Sequence, residues 1–127
     1  MPTTTAAFEI DLGPAGRDEL DGAASRFEFT KAWTGGMSGS SRGFMASGGD
    51  PASRSAGYVA LELFESAVDG RSGTFLLQQY GVLAGGSQRL EYDVVPGSGT
   101  GDLVGLRGAV TLEIHDGEHR VSLDYEV

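Results

Sequence analysis

The 127-residue sequence predicts an all-β fold, a single eight-stranded antiparallel β-barrel. Apolar and polar residues alternate with period two in about eight short segments, which is the pattern of half-buried strands. Glycine supplies 21 residues against only 4 prolines, a balance typical of turns and bulges between strands. The length suits one domain, and eight strands can close around side chains or one small ligand.

The first half of the chain contains three readily recognised strands. Alternation predicts a strand over residues 5–12, a second over 27–33 and a weaker third over 37–47. Residues 1–5 and 13–25 are expected to be flexible or to form a loop, because they are polar and contain glycine and proline.

The segment from Tyr58 to Val68 is ambiguous, because its composition also suits a helix. It lacks a continuous apolar helical stripe, and Asp69-Gly70 follows it as a hairpin dipeptide. We therefore predict a strand.

Residues 97–105 are glycine-rich and are predicted to be a loop with one helical turn. Further strands are predicted over 73–82, 90–95, 110–114 and 121–125, with turns at 84–86 and 116–117.

Charge and composition exclude several classes of partner. Nine basic and 18 acidic residues give a net charge of −9, which disfavours binding to nucleic acids and to anionic membranes. The absence of cysteine excludes disulfides, thiolate nucleophiles and zinc–thiolate sites. Neither a signal-peptide pattern nor an apolar run of roughly 18–20 residues is present, so we expect a cytoplasmic protein.

Three motifs resemble known chemistry but sit in the wrong context. Gly39–Gly43 matches Gly-x-Ser-x-Gly, yet Gly48-Gly49-Asp50-Pro51 follows before the required helix could form. His115–His119 matches a zinc-peptidase spacing, but Asp116-Gly117 favours a hairpin turn instead. Residues 97–108 lack the pattern of a phosphate-binding loop. We expect no metal and no cofactor.

Glu62 is the acidic residue with the most unusual surroundings. It shares strand parity with Tyr58 and Phe64, so an aromatic face carries a carboxylate. If that face points inward, Glu62 is a buried acid suited to proton transfer. Alternatively, the face points outward, or Arg71 or Arg89 neutralises the charge.

Large apolar residues fall on several different predicted strands. They could line a ligand cavity, or they could simply fill the barrel as a packed core. Alternation does not say which face of each strand is inside. The candidate ligand-binding residues are Trp33, Phe44, Tyr58, Phe64, Phe75, Leu77 and Tyr92.

Several longer stretches resemble a bacterial family defined by domain of unknown function 3224 (DUF3224). The most distinctive stretch is Val94–Gly108, which begins Val-Val-Pro-Gly-Ser-Gly-Thr-Gly. The others are Thr30–Gly35, Leu61–Glu65, Gly70–Gln78 and Leu123–Tyr125.

The resemblance implies a barrel similar to the allene oxide cyclases, which bind and fold flexible apolar substrates, often without a metal or cofactor. Related barrels often form dimers or trimers. In the family a histidine often stands where this chain has Gln79, opposite Glu62 across a hairpin. Gln79 can form hydrogen bonds but cannot shuttle a proton near neutral pH.

Three functions remain open at this point. The first is a cofactor-independent cyclase or isomerase of a lipid-like or natural-product-type metabolite, with Glu62 and Gln79 as catalytic residues. In it, Glu62 is the acid, base or hydrogen-bond donor, and Gln79 is a polar clamp. The second is a non-catalytic carrier of a small hydrophobic molecule. The third is a structural protein whose barrel is filled by its own side chains.

Overall fold

The computed structural model describes residues 2–15 and 19–127. It contains eight strands and three short 3₁₀ turns, the latter at Leu20–Gly22, Pro51–Ser53 and Gly101–Leu103. The strands are β1 (Thr3–Pro14), β2 (Ala24–Gly35), β3 (Met37–Asp50), β4 (Ser55–Val68), β5 (Arg71–Ala84), β6 (Ser87–Val94), β7 (Arg107–His115) and β8 (Glu118–Glu126).

The strands form one closed antiparallel barrel in the order β1 to β8, with β8 returning to pair with β1. The predicted all-β eight-stranded barrel is confirmed. Closure satisfies strand edges that would otherwise be exposed to pairing with other chains. Within the described residues, no helix is long and apolar enough to cross a membrane.

Most strands are longer than alternation predicts. The expected loops at 1–5 and 13–25 are partly wrong, because β1 runs from Thr3 to Pro14 and β2 begins at Ala24. Pro14 still pairs with Phe27, although proline and glycine interrupt the alternating pattern there. Backbone hydrogen bonds to a neighbouring strand therefore extend a strand past the residues whose apolar and polar side chains alternate. Residue 1 and residues 16–18 of the expected loops lie outside the described part of the chain.

Tight hairpins form at the predicted turns. Asp69 and Gly70 have φ of 48° and 82°, and Asp116 and Gly117 have φ of 51° and 80°. Positive φ at both central residues is the backbone of a type I′ turn, which matches the twist of the flanking strands. The hairpin interpretation of residues 115–119 is confirmed, and the helical zinc motif is excluded.

The end of the barrel near the β6–β7 connection is filled by that connection. Leu103 and Leu106 are fully buried there, in one core cluster with Met37 and Val68. Gly73 allows this packing, because a Cβ at that position would lie 2.0 Å from the carbonyl oxygen of Thr100. This end is therefore closed.

The opposite end, which we call the mouth, is open along one side. Between β6 and β7 the described register is a single pair, Asp93 with Ala109, beyond which the two strands separate. Register pairing of β8 with β1 ends at Phe8 and His119, whereas β1 continues to Pro14 along β2. The barrel wall is consequently incomplete from β6 to β1 at the mouth.

Candidate functional site

Glu62 faces the barrel interior and is 3% exposed. Its neighbours of the same parity, Tyr58 and Phe64, face inward with it, while Leu61 faces outward and is 38% exposed. The alternative in which this face of β4 points outward is therefore wrong.

The counter-ion of Glu62 is Lys31, not Arg71 or Arg89. The Lys31 Nζ lies 2.8 Å from Glu62 Oε1, and both side chains are almost completely buried. Lys31 comes from β2, on the inward face that also carries Phe29 and Trp33. Two strands thus contribute opposite charges to the same interior layer.

Trp33, Ser41 and Tyr92 are hydrogen-bonded to this ion pair or to each other. We call the five residues Lys31, Trp33, Ser41, Glu62 and Tyr92 the interior cluster. The Tyr92 hydroxyl donates to Glu62 Oε1 at 2.8 Å, and Lys31 Nζ donates to the same hydroxyl at 3.1 Å. Ser41 Oγ donates to Glu62 Oε2 at 2.7 Å, and the Trp33 indole donates to Ser41 Oγ at 2.9 Å. Within the described residues, every buried side-chain nitrogen and oxygen has a hydrogen-bond partner.

Aromatic rings enclose the ammonium group of Lys31. Its Nζ lies 4.3 Å from the ring centroid of Phe8 and 5.2 Å from that of Phe29. The rings of Trp33 and Tyr92 are 5.5 Å and 5.4 Å away. Ring faces attract a cation and also exclude water, so the ammonium is held by one carboxylate and an aromatic enclosure.

This environment shifts two pKa values in opposite directions. Burial lowers the pKa of Lys31, although the charge of Glu62 and its hydrogen bond to Lys31 act against the shift. Burial, followed by the charge of Glu62, raises the pKa of Tyr92 well above its usual value. Tyr92 therefore remains a proton-donating phenol at neutral pH, and Lys31 releases its proton more readily than an exposed lysine.

Apolar side chains line the mouth without being covered. Ile10 and Leu12 of β1 face inward and are 40% and 47% exposed, because β8 no longer flanks them. Phe27, Met45 and Tyr58 also face inward from β2, β3 and β4 and are half-buried. The mouth is thus an apolar, water-exposed surface beside the interior cluster.

Gln79 lies at the mouth rather than opposite Glu62. In the β4–β5 register Glu62 pairs with Leu77, and Gln79 pairs with Ala60. The Gln79 side-chain amide donates to the Tyr58 hydroxyl. The expectation that Gln79 faces Glu62 is wrong. The turn at Asp69-Gly70 fixes the hairpin register, and this register places Leu77 opposite Glu62 and Gln79 two residues further along β5 towards the mouth.

The predicted lining residues lie at the mouth, in the interior or, for Phe44, on the outer wall. Tyr58 lies at the mouth. Trp33, Phe64, Phe75, Leu77 and Tyr92 lie in the interior and are at most 3% exposed. The rings of Phe64 and Phe75 pack at 4.9 Å, so these two fill the barrel rather than line an open space.

Phe44 does not lie in the interior. It pairs with Leu61 in the β3–β4 register, faces outward and is 43% exposed. Together with Val59, Leu61 and Tyr80 it forms an apolar groove of 380 Å³ on the outer wall, which we call the outer groove. The sequence could not exclude Phe44 from the interior, because alternation does not identify the inner face.

The sequence interpretation missed Lys31 and Ser41. A signal for Lys31 was present, because this single lysine of the chain shares strand parity with Phe29 and Trp33. Ser41 carries no such signal. Among the described residues, no group of three or more His, Asp or Glu side chains could hold a metal ion.

Comparisons with known proteins agree with the fold. The sequence profile of a family described as a protein of unknown function, DUF3224, matches residues 4–125. A crystal structure of a DUF3224 protein of unknown function from Shewanella oneidensis MR-1 superposes with a TM-score of 0.91 at 33% identity. The match covers 99% of this chain and 96% of that one. No curated protein matches the sequence.

Proposed function

The chain belongs to the DUF3224 family, and from its own site we propose that it binds a small apolar molecule at the mouth and acts on it by proton transfer. The interior cluster supplies the proton-transfer groups. One observation carries the proposal: a buried Lys31–Glu62 pair bonded to Tyr92, beside an uncovered apolar mouth.

Stability alone does not account for the buried ion pair. Removing two charges from water costs several kcal/mol per ion, and well-packed apolar replacements are often neutral or stabilising by about 1–4 kcal/mol. The surrounding interior already holds Phe8, Phe29 and Phe64, so apolar packing was available. A costly arrangement of acid, base and phenol in one place is typical of functional sites.

The mouth supports an apolar ligand. Inward-facing residues such as Leu12 and Ile10 expose apolar surface that a ligand would cover, and uncovered apolar patches commonly mark binding sites. Tyr58 and Gln79 provide polar contacts at the same end. A few polar groups within an apolar lining are typical of small-molecule sites.

The chemistry that suits these groups is isomerisation or cyclisation. Glu62 accepts a proton and Tyr92 donates one, and their 2.8 Å separation allows a proton to pass between them. An apolar enclosure also holds a flexible substrate close to its reacting geometry. The resemblance to allene oxide cyclase barrels that we expect from the sequence would imply a lipid-like or natural-product-type substrate, and the proposed reaction requires no cofactor.

A non-catalytic carrier is the second candidate, and the outer groove favours it. Its 380 Å³ falls within the range of roughly 300–1,000 Å³ that small-molecule sites occupy. Phe44 and Tyr80 would contact the ligand there, on the opposite side of the sheet from Glu62.

Fluorescence of phenylnaphthylamine, a neutral apolar probe, tests both candidates. We expect Met45→Glu, which places a charge in the mouth, to weaken binding at least about tenfold, equivalent to about 1.4 kcal/mol. The matched substitution Leu61→Glu in the outer groove should leave binding unchanged. The reverse result would support the carrier, and no binding by the parent protein would refute both.

A further inference from the structure

The interior cluster contains the only lysine of the chain, and the other eight basic residues are arginines. We propose, building on the proposed function, that the ligand is an aldehyde or ketone and that Lys31 condenses with its carbonyl carbon to form an imine.

The choice of lysine at this position supports the proposal. Among the described residues, Lys31 is the one buried basic side chain, at 5% exposed, whereas the ion-paired side chains of Arg42 and Arg107 are 70% and 68% exposed. Arginine is the usual partner in a buried ion pair, because its charge is permanent and its donors are fixed in a plane. Lysine differs in being able to become a neutral amine nucleophile.

The neighbours of Lys31 Nζ provide both proton transfers that imine formation needs. Glu62 Oε1, at 2.8 Å, can take the proton of the ammonium. The Tyr92 hydroxyl, at 3.1 Å, can supply a proton to a carbonyl oxygen placed beside the amine. The lowered pKa of Lys31, caused by burial, agrees with this role.

Access and water exclusion also fit. Ile10 pairs with Lys31 in the β1–β2 register and is 40% exposed, so the mouth reaches the row of the amine. The rings of Phe8 and Phe29 cover the Nζ on other sides. Imines hydrolyse in water, and an enclosed apolar site protects such intermediates.

The atoms and charges of the reaction balance. Glu62 first accepts a proton from the Lys31 ammonium, and the resulting amine attacks the carbonyl carbon. The carbonyl oxygen takes a proton from Tyr92, which regains one from the new ammonium nitrogen, and a carbinolamine results. Protonated Glu62 then returns its proton to the hydroxyl group, which leaves as water. The products are the iminium and one water, with Glu62 and Tyr92 restored.

Reductive trapping with cinnamaldehyde and sodium cyanoborohydride tests the proposal, because Lys31 and the N-terminal amine are the only amines in the chain. Peptide mapping by mass spectrometry measures the rate at Lys31 in the folded protein and in urea. We expect the folded protein to react roughly tenfold faster or more, because burial leaves more of the Lys31 amine unprotonated and Glu62 and Tyr92 assist its proton transfers.

Two variants separate chemistry from folding. Lys31→Arg should abolish the internal adduct, and Tyr92→Phe, which removes the proton donor beside the amine, should slow it in a protein that still binds phenylnaphthylamine. Slower labelling of Lys31 in the folded protein than in urea would overturn the imine proposal. If Lys31 labels slowly but the parent protein binds phenylnaphthylamine, only the imine proposal fails. If the parent protein does not bind phenylnaphthylamine, the proposed function fails as well.

Discussion

Glu62→Gln removes the charge that Lys31 pairs with while keeping the shape of the side chain. The Lys31 ammonium is then left in the interior without its 2.8 Å counter-ion, although the amide can still accept one hydrogen bond. Breaking a buried pair by removing one partner costs about 3–5 kcal/mol. We expect the free energy of unfolding to fall by about 3 kcal/mol at pH 7.

The variant can reduce this cost by releasing the Lys31 proton. An unfolded lysine keeps its proton up to about pH 10.4, so releasing it at pH 7 costs roughly 4.6 kcal/mol, which limits the total loss. Because the unfolded state would then bind more protons than the folded state, stability rises with pH. The deficit of Glu62→Gln should therefore shrink as the pH is raised from 7 towards 10.

Urea denaturation at several pH values measures this deficit, and the surface pair Arg42–Glu65 provides the control. Its side chains are 70% and 45% exposed, so Glu65→Gln should cost only about 0–1 kcal/mol with little pH dependence. If Glu62→Gln costs no more than Glu65→Gln, the interior pair does not have the electrostatic importance assigned to it.

Three further predictions concern other parts of the barrel. Burial raises the pKa of Tyr92, so its contribution to the free energy of unfolding is present below about pH 10 and lost as pH rises through the folded value. Tyr92→Phe should therefore lower that free energy by about 1–3 kcal/mol at pH 7, through loss of the bonds with Glu62 and Lys31, and by progressively less above about pH 10 in urea denaturation followed by circular dichroism. Hydrogen bonds from Tyr125 and Thr4 lower the pKa of Asp69, so its contribution is present above about pH 4 and lost as pH falls. Asp69→Asn should cost about 1 kcal/mol at pH 7 in urea, a value discounted for solvent exposure, and less in acid; equal losses at both pH values would contradict the assignment. Gly73→Ala should cost about 1–3 kcal/mol, because its Cβ would meet the Thr100 carbonyl at 2.0 Å, whereas Gly13→Ala, with open space around it, should be near neutral in thermal unfolding.

The number of strands and the positions of the hairpins could be predicted because they depend on local rules. Asp116-Gly117 adopts the positive φ values that its residue types favour, and the strands on either side alternate with period two. The boundaries were less predictable. Residues near Pro14 and Ala24 lie in strands through pairing with neighbours, which leaves no alternating signal.

The candidate site was only partly predictable, because its contacts join distant segments. Strand parity places Glu62 with Tyr58 and Phe64, but not on the inside of the barrel. Its partner Lys31 is 31 residues away in sequence, and their contact depends on the registers of β2 and β4 with the strand β3 between them. The same limit explains Phe44, whose pattern resembles that of an interior aromatic although it lies on the outer wall.

The openness of the mouth was not predictable at all. It depends on where β6 separates from β7 after the Asp93–Ala109 pair and where β8 stops along β1. These are properties of three-dimensional pairing, whereas the exposed inner residues Ile10 and Leu12 read in sequence as ordinary buried positions. The apolar mouth therefore emerged only from the assembled barrel.

The single tryptophan permits the most direct test of the central claim, that the mouth and the interior cluster form one ligand site. The Trp33 indole N–H donates to Ser41 within the interior cluster and gives one distinct proton resonance. On titration with phenylnaphthylamine, we predict that this resonance shifts together with the amides of Ile10 and Leu12, while those of Val59 and Leu61 on the outer wall stay in place. Movement of the outer-wall amides with an unchanged Trp33 indole signal would contradict the account.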